Sequence, residues 1–300
     1  MSFSYEVKTE LCRADIGPKT MAAAQAYGVL LFANTFTARE IRIVTGNADL
    51  ASHFPRLFKR SFGLDFDSVS GDGERKKKIF SITDEAKLKK VLSTYGYEAE
   101  SLTALHINLG ALEDEGAKES FLRGAFMAGG SVTDPEKRYH LELSTTHPFV
   151  SRELPALLSD MGFESRLVRR GQNYVTYFKM SSAIEDLLTK IGAPVAAMKI
   201  MNTKIEKDMT NSVNRRVNCD TANVLKTVVA AEEQLHAVKR LREAGAFEAL
   251  PEKLRLPLVL CYSEGMSYEE AADALRIPVT TLRGRIHRGK EQLRKELSEK

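Results

Sequence analysis

The sequence predicts an α+β fold: two copies of a small α/β half-domain, followed by an all-α helix-turn-helix domain. Two observations carry this prediction, an internal repeat in the first two thirds of the chain and a capped, basic pair of helices at its end. A length of 300 residues accommodates two or three domains. We place the first repeat at 1–110, the second at 111–205, a linker at 206–222 and the helical domain at 223–300, with the helix-turn-helix at 267–297.

The repeat is marked by glycines and prolines that recur nearly a hundred residues apart. The pairs are Gly28 with Gly124, Pro55 with Pro155, Gly63 with Gly162, and Gly96 with Gly192. A period of this length exceeds that of a solenoid unit. It therefore indicates that a whole half-domain is duplicated.

The sequence of each half predicts the same order of helices and strands. An apolar helix (Met21–Ala33; Lys118–Ala128) precedes a strand with alternating apolar residues (Glu40–Thr45; Tyr139–Ser144). A second amphipathic helix, a hairpin and a final helix follow. The hairpins turn at Gly71-Asp72-Gly73 and near Gly171-Gln172-Asn173, and the final helices end at Gly96 and Gly192.

The stretch that follows the repeat is polar. Residues 203–218 predict a flexible, protease-sensitive linker between two domains. The next helix carries an apolar stripe that we expect to form the core of the helical domain. That stripe consists of Leu225, Val228, Val229, Leu235, Val238 and Leu241.

The last thirty-odd residues have the spacing of a helix-turn-helix. Ser267 followed by Glu270 predicts a capping box at the start of a short helix. Pro278 disfavours helical backbone at the residue before it, so the short helix should end there. We expect Thr280 or Thr281 to cap the second helix.

The second helix is predicted to be amphipathic and basic. Its apolar residues form one stripe at helical spacing: Leu282, Ile286, Leu293 and Leu297. From Arg276 to Lys300 the chain holds eight Lys/Arg against three Asp/Glu, although its overall net charge is only +4. A basic run by itself is most simply a solvated helix face. Behind a capped helix and a tight turn, it favours docking in the major groove of DNA.

Arginine in such a helix suits the edge of guanine, whereas Lys290 and Arg294 are better placed for phosphates. The residues predicted to bind DNA are Ser267, Tyr268, Thr280, Thr281, Arg283, Arg285, His287, Arg288, Lys290 and Arg294. Further cations lie in the two hairpins of the repeat, where contacts with the DNA backbone compete with a simpler interpretation as solvated tips. These are Lys76, Lys78, Arg166, Arg169 and Arg170.

Composition argues against several other classes of protein. No apolar run is long enough for a membrane span, and the N-terminus lacks the apolar core of a signal peptide. Cys12, Cys219 and Cys261 lie far apart without metal-ligand spacing, which indicates reduced thiols and a cytoplasmic location. Phosphate-loop, dinucleotide and hydrolase motifs are missing. We therefore expect no cofactor, no bound metal and no enzymatic activity.

The C-terminal segment resembles the promoter-reading region of bacterial sigma factors. In that region a capped short helix, an Ile-Pro turn and a helix with spaced arginines recur. The matching residues here are Ser267, Glu269, Glu270, Ala271, Ala272, Ile277, Pro278, Thr281, Arg285 and Arg288.

The segment Leu122–Val132, LRGAFMAGGSV, resembles the LAGLIDADG motif of homing endonucleases. The resemblance implies that two such helices, one from each half, pack together at a pseudo-twofold interface. It also implies that an acidic metal ligand belongs near the end of each helix. Those positions fall on Ala33 and Gly129, which have no carboxylate, so the resemblance extends to the scaffold and not to the two-metal cleavage chemistry.

The combination of both resemblances points to the WhiA family, regulators of sporulation and cell division in Gram-positive bacteria. Two further segments resemble signatures of that family, Asn214–Asn223 (NRRVNCDTAN) and Leu250–Arg255 (LPEKLR). The resemblance implies a monomeric, non-catalytic transcription regulator that binds double-stranded promoter DNA, with another regulator or RNA polymerase as further partner. The alternatives are an active homing endonuclease, a sigma factor proper, and a protein-interaction module.

Overall fold

The computed structural model describes residues 2–72, 77–114, 116–243, 245 and 248–298. It divides into two compact units, Met1–Met209 and Thr210–Lys300. The first is a mixed helix and sheet unit, and the second is helical.

Apart from an additional N-terminal helix in the first, the two halves of the first unit contain the same elements in the same order. The first half comprises α1 (Phe3–Arg13), α2 (Lys19–Leu31), β1 (Thr35–Phe36), β2 (Ile41–Thr45), α3 (Ala48–Phe62), β3 (Ser68–Asp72), β4 (Lys77–Ile82) and α4 (Glu85–Thr94). After a 3₁₀ turn, the second comprises α5 (Ala117–Gly129), β5 (Gly130–Val132), β6 (Leu141–Thr145), α6 (Pro148–Asp160), β7 (Arg166–Arg170), β8 (Asn173–Phe178) and α7 (Ser181–Ile191). The antiparallel sheets have matching strand orders, β1-β2-β4-β3 and β5-β6-β8-β7. The predicted duplication is confirmed.

Local sequence explains where these helices begin and end. The side chain of Asn47 caps α3 by accepting hydrogen bonds from the amides of Asp49 (2.9 Å) and Leu50 (3.0 Å). Gly63 and Gly192 follow α3 and α7 with φ values of 67° and 98°, the left-handed conformation that glycine adopts without strain. The helix α1 was not predicted from the sequence, although Phe3, Val7 and Leu11 fall on one buried face.

The helices α2 and α5 cross at the centre of the first unit, where two glycines allow their backbones to touch. A Cβ added at Gly28 would overlap the carbonyl oxygen of Phe121, and one added at Gly124 would overlap that of Gln25. The buried side chains of both halves form one continuous apolar core around this crossing. The halves therefore fold as one unit, with the predicted motif helices face to face.

A buried polar pair lies beside this crossing. The Nε2 atoms of Gln25 and His53 are 3.0 Å apart, and His53 is only 2% exposed. Burial lowers the pKa of His53 from 6.5 to about 4, and the charges of Arg56 and Arg123 act in the same direction. The imidazole is therefore neutral in the folded chain at neutral pH.

This histidine should make the first unit sensitive to acid. The unfolded chain protonates this histidine below pH 6.5, whereas the folded chain does so only near pH 4. Stability that is present above pH 6.5 is therefore lost as the pH falls towards 4. The shift corresponds to roughly 3 kcal/mol of unfolding free energy. Denaturant unfolding between pH 7 and 4 should show a shallower loss for His53→Gln than for the parent.

The exposed His236→Gln variant of the second unit is the control for this experiment and should follow the parent curve. Burial also lowers the pKa of His147, so a smaller slope should persist in His53→Gln. Identical pH dependence in His53→Gln and the parent would show that His53 is not the responsible group.

The polar stretch predicted as a flexible linker is helical instead. It lies within α8, a 50-residue helix spanning Pro194–Glu243, and neither proline nor glycine interrupts the chain between 195 and 243. The prediction that the apolar stripe of this helix forms a core is also wrong for its described side chains. Leu225 and Leu235 are each 60% exposed, and Val228 and Val229 are about half exposed. The side chains of Val238 and Leu241 are outside the described set.

The core of the second unit comes from three shorter helices, α9 (Glu252–Tyr262), α10 (Tyr268–Ala274) and α11 (Val279–Ser298). Its buried members are Leu250, Leu258, Ala271, Ala272, Leu282, Ile286 and Leu293. Within the described part of the chain, α8 included, no helix combines the length and apolar character that a membrane span requires.

Candidate nucleic-acid interface

The short helix α10 begins with the predicted capping box. The amide of Glu270 donates to Ser267 Oγ (3.2 Å), and the amide of Ser267 donates to Glu270 Oε2 (2.8 Å). Hydrogen bonding from the backbone and side chain of Ser267 holds the pKa of Glu270 below its usual value. This reciprocal pair fixes the start of α10 relative to the loop before it.

A tight turn separates α10 from α11, as predicted from Pro278. The amides of Ile277 and Arg276 donate to the carbonyls of Ala272 (3.0 Å) and Asp273 (3.1 Å), the pattern of a Schellman motif. Arg276 occupies the left-handed position of that motif with φ at 50°, where glycine is usual. The turn therefore redirects the chain within three residues.

The second helix begins earlier than predicted. Helix α11 starts at Val279, and the carbonyl of Pro278 accepts from the amide of Leu282 (3.0 Å). Thr280 and Thr281 thus lie in its first turn, and neither is the N-cap. Their side chains are displayed on the helix surface instead.

The apolar stripe of α11 faces inwards as predicted. Leu282, Ile286 and Leu293 are at most 5% exposed. Gly289 lies on the same face, where an added Cβ would come within 2.7 Å of Leu258 Cδ1. Close packing between α9 and α11 therefore explains one of the two glycines in this helix.

Most residues predicted to bind DNA lie on the remaining faces of α11. Thr281 and Arg285 are partly exposed, and the more exposed ones are Thr280, Arg283, His287, Arg288, Lys290 and Arg294. Arg288 folds along the helix, where its Nε donates to the carbonyl of Gly284 (3.2 Å). The arrangement presents hydroxyl, imidazole and guanidinium groups together on a rigid helix.

Two tyrosines hold two of these cations against the domain. Lys290 Nζ lies 4.4 Å from the ring centre of Tyr262, and the Arg283 guanidinium lies 5.9 Å from that of Tyr268. The two hydroxyls are 3.4 Å apart. Tyr262 was missed in the sequence because it lies at the end of an apolar helix, with no spacing that links it to α11.

The predicted cations of the repeat differ in their exposure and in their hydrogen-bond partners. Lys78 and Arg166 are exposed on β4 and β7. Arg170 donates to Glu142 (2.8 Å), and Arg169 Nε donates to the carbonyl of Gly171 (3.1 Å). Lys76 is outside the described residues. Arg170 is thus partly neutralised, which weakens it as a phosphate ligand.

The positions that correspond to the metal ligands of homing endonucleases lie at the ends of α2 and α5. Ala33 is 6% exposed. An added Cβ at Gly129 would overlap the carbonyl oxygen of Ser144 and lie 3.1 Å from the Phe32 side chain. An acidic side chain could not be placed at Gly129 without moving the backbone.

Two family models match the chain. The WhiA LAGLIDADG-like domain matches residues 118–210, and sigma-70 region 4 matches residues 244–293. The first match covers the second repeat and the start of α8. The second covers α9, α10 and most of α11, so both resemblances noted in the sequence are found independently.

Whole-chain relatives agree with these matches. The chain is 36% identical over 262 residues to a probable cell division protein WhiA of Ruminiclostridium cellulolyticum, covering 85% of this chain and 84% of the relative. It is 34% identical over 293 residues to one of Clostridium perfringens, covering 93% and 92%. Full-length DUF199/WhiA from Thermatoga maritima has the same fold, with a TM-score of 0.62 and 21% identity over 98% of this chain and 99% of that one. This chain belongs to the WhiA family.

Proposed function

We propose that this protein is a non-catalytic, sequence-specific DNA-binding regulator of transcription. The observation that carries the proposal is the geometry of α11, which buries one apolar face and displays Thr280, His287 and Arg288 behind a capped α10 and a tight turn. This is how a helix-turn-helix presents its second helix to the major groove. The match of residues 244–293 to sigma-70 region 4 supports the same placement.

The residues of α11 divide by the group they suit. Arg288 and Arg285 can donate to O6 and N7 of guanine, and the two threonines can reach several base edges. Lys290, which Tyr262 holds at the side of the helix, suits a phosphate. The Arg283 guanidinium lies beside the Tyr268 ring. Binding measurements across a salt series decide whether it contacts a base or a phosphate.

The repeat domain is proposed to support the reading helix in one of two ways. It contacts the DNA backbone through Lys78 and Arg166, or it binds another regulator or RNA polymerase. Because the proposed ligand is chromosomal DNA, we expect the protein at the nucleoid. The names of the relatives in Ruminiclostridium and Clostridium suggest cell division as the process regulated. Sporulation is added on the family resemblance noted in the sequence.

Selection of bound duplexes from a random pool, paired with genome-wide chromatin capture, tests this proposal. We expect one shared motif in both experiments, located at promoters. The Arg288→Ala variant should lose enrichment at that motif, while Lys253→Ala, an exposed cation of α9, should retain it. Recovery of no shared motif, with captured protein spread evenly over the chromosome, would contradict sequence-specific regulation.

The non-catalytic part of the proposal has its own test. Ala33 and Gly129 offer no carboxylate to a metal ion, and two-metal phosphodiester cleavage requires such ligands. Purified protein incubated with its selected duplex and Mg²⁺ or Mn²⁺ should leave both strands intact. Nicking at a defined site, absent from a control without protein, would instead support the endonuclease alternative.

A further inference from the structure

Gly284 occupies the middle of the outward face of α11. Side chains three and four residues away are its neighbours on a helix surface. These are Thr280, Thr281, His287 and Arg288, all four of them predicted to contact DNA. The centre of the proposed interface therefore has no side chain.

Neither conformation nor packing requires glycine at this position. Gly284 lies inside α11 without a positive φ. An added Cβ would have only the Arg288 guanidinium within 4 Å, at 3.9 Å, which is an ordinary van der Waals distance. Glycine destabilises a helix interior relative to alanine, so the residue weakens α11 without a compensating contact inside the fold.

Gly289, in the same helix, is a glycine that packing does require. Its Cβ would lie 2.7 Å from Leu258 Cδ1 and 3.4 Å from the carbonyl oxygen of Leu254. Alanine there would force the Leu258 side chain of α9 to move. Among the described residues, an added Cβ at Gly284 meets only the end of the Arg288 side chain, so a larger side chain there would project towards a ligand outside the domain.

The dimensions of DNA make such an obstruction significant. A helix with its side chains is about 10–12 Å across, and the major groove is about 12 Å wide. Thr280 and Thr281 have short side chains, which reach base edges only when the helix axis lies deep in the groove. A bare patch of backbone between the threonines and Arg288 permits that depth.

We propose that Gly284 is a specificity-determining position of the DNA interface, because its missing side chain lets α11 approach the floor of the major groove. This inference rests on the proposed function. Larger side chains at this position should hold the helix away from the bases while leaving contacts with phosphates in place. Sequence discrimination should then fall more than total affinity.

The test compares Gly284→Ala and Gly284→Leu in the full-length protein, using the selected duplex and a scrambled duplex of equal length. Gly284→Ala should unfold at a higher denaturant concentration than the parent yet bind the selected duplex several-fold more weakly. Gly284→Leu should bind the selected duplex roughly tenfold or more weakly than the parent, a loss equivalent to one base contact. Its affinity for the scrambled duplex should stay at the parent value. Ala230→Leu, which adds a similar side chain at an exposed position of α8, is the control and should bind both duplexes as the parent does.

The outcomes separate this inference from the proposed function. If Arg288→Ala weakens binding but a folded Gly284→Leu binds both duplexes like the parent, the inference about Gly284 is wrong and the reading helix stands. If the parent does not distinguish the selected duplex from the scrambled one, the proposed function fails and this inference fails with it. Stabilisation of Gly284→Ala together with loss of discrimination is the result that a purely structural glycine would not produce.

Discussion

Replacing Gly124 by alanine is expected to destabilise the first unit strongly. The new Cβ would overlap the carbonyl oxygen of Gln25 and lie 2.9 Å from the amide of Val29. Both are backbone atoms of α2, so no side chain can rotate away. Separating α2 from α5 would open the core that both halves share, at a loss of about 3 kcal/mol or more of unfolding free energy.

Equilibrium unfolding in denaturant, followed by circular dichroism, measures this loss. Gly28→Ala should behave in the same way, since its Cβ would overlap the carbonyl oxygen of Phe121 on α5. Gly284→Ala is the matched control, because the added methyl group there makes only an ordinary contact with Arg288 at 3.9 Å, and it should stabilise α11 by about 1 kcal/mol. A Gly124→Ala protein as stable as the parent would mean that the two motif helices are not in contact.

Replacing Arg288 by alanine should weaken binding to the selected duplex by about 1–3 kcal/mol and relax specificity at one base pair, as expected for an arginine that reads guanine. Stability should change by less than about 0.5 kcal/mol, because the side chain is exposed and bonds only to its own helix. Binding isotherms on the selected duplex and its single-base variants measure both effects.

A salt series distinguishes this base contact from a phosphate contact. Lys290→Ala should weaken all duplexes similarly and reduce the slope of log affinity against log salt by about 1. Arg283→Ala is assigned by which of the two patterns it follows. Lys253→Ala is the control and should match the parent throughout. If Arg283→Ala and Arg288→Ala both bind like the parent at every salt concentration, α11 is not the reading helix and the interaction-module alternative is favoured.

The parts of this protein that sequence alone determined are those encoded within one or two turns of chain. The capping box needs only Ser267 and Glu270 three residues apart, and Pro278 is enough to predict that a turn follows. The inward stripe of α11 follows from helical period. Such features depend on neighbours in the chain, so they are readable without knowing what packs against them.

Other features were decided by tertiary structure because they depend on residues distant in sequence. The stripe of α8 has the period of a buried face, yet the second unit builds its core from α9, α10 and α11 and leaves Leu225 exposed. Gly284 and Gly289 are the same residue type in one helix, and only the position of Leu258 distinguishes them. Lys290 likewise acquires its place from Tyr262, on a different helix. Periodicity identifies an apolar face, but which surface covers it, and which glycine is crowded, depends on the distances between elements that folding brings together.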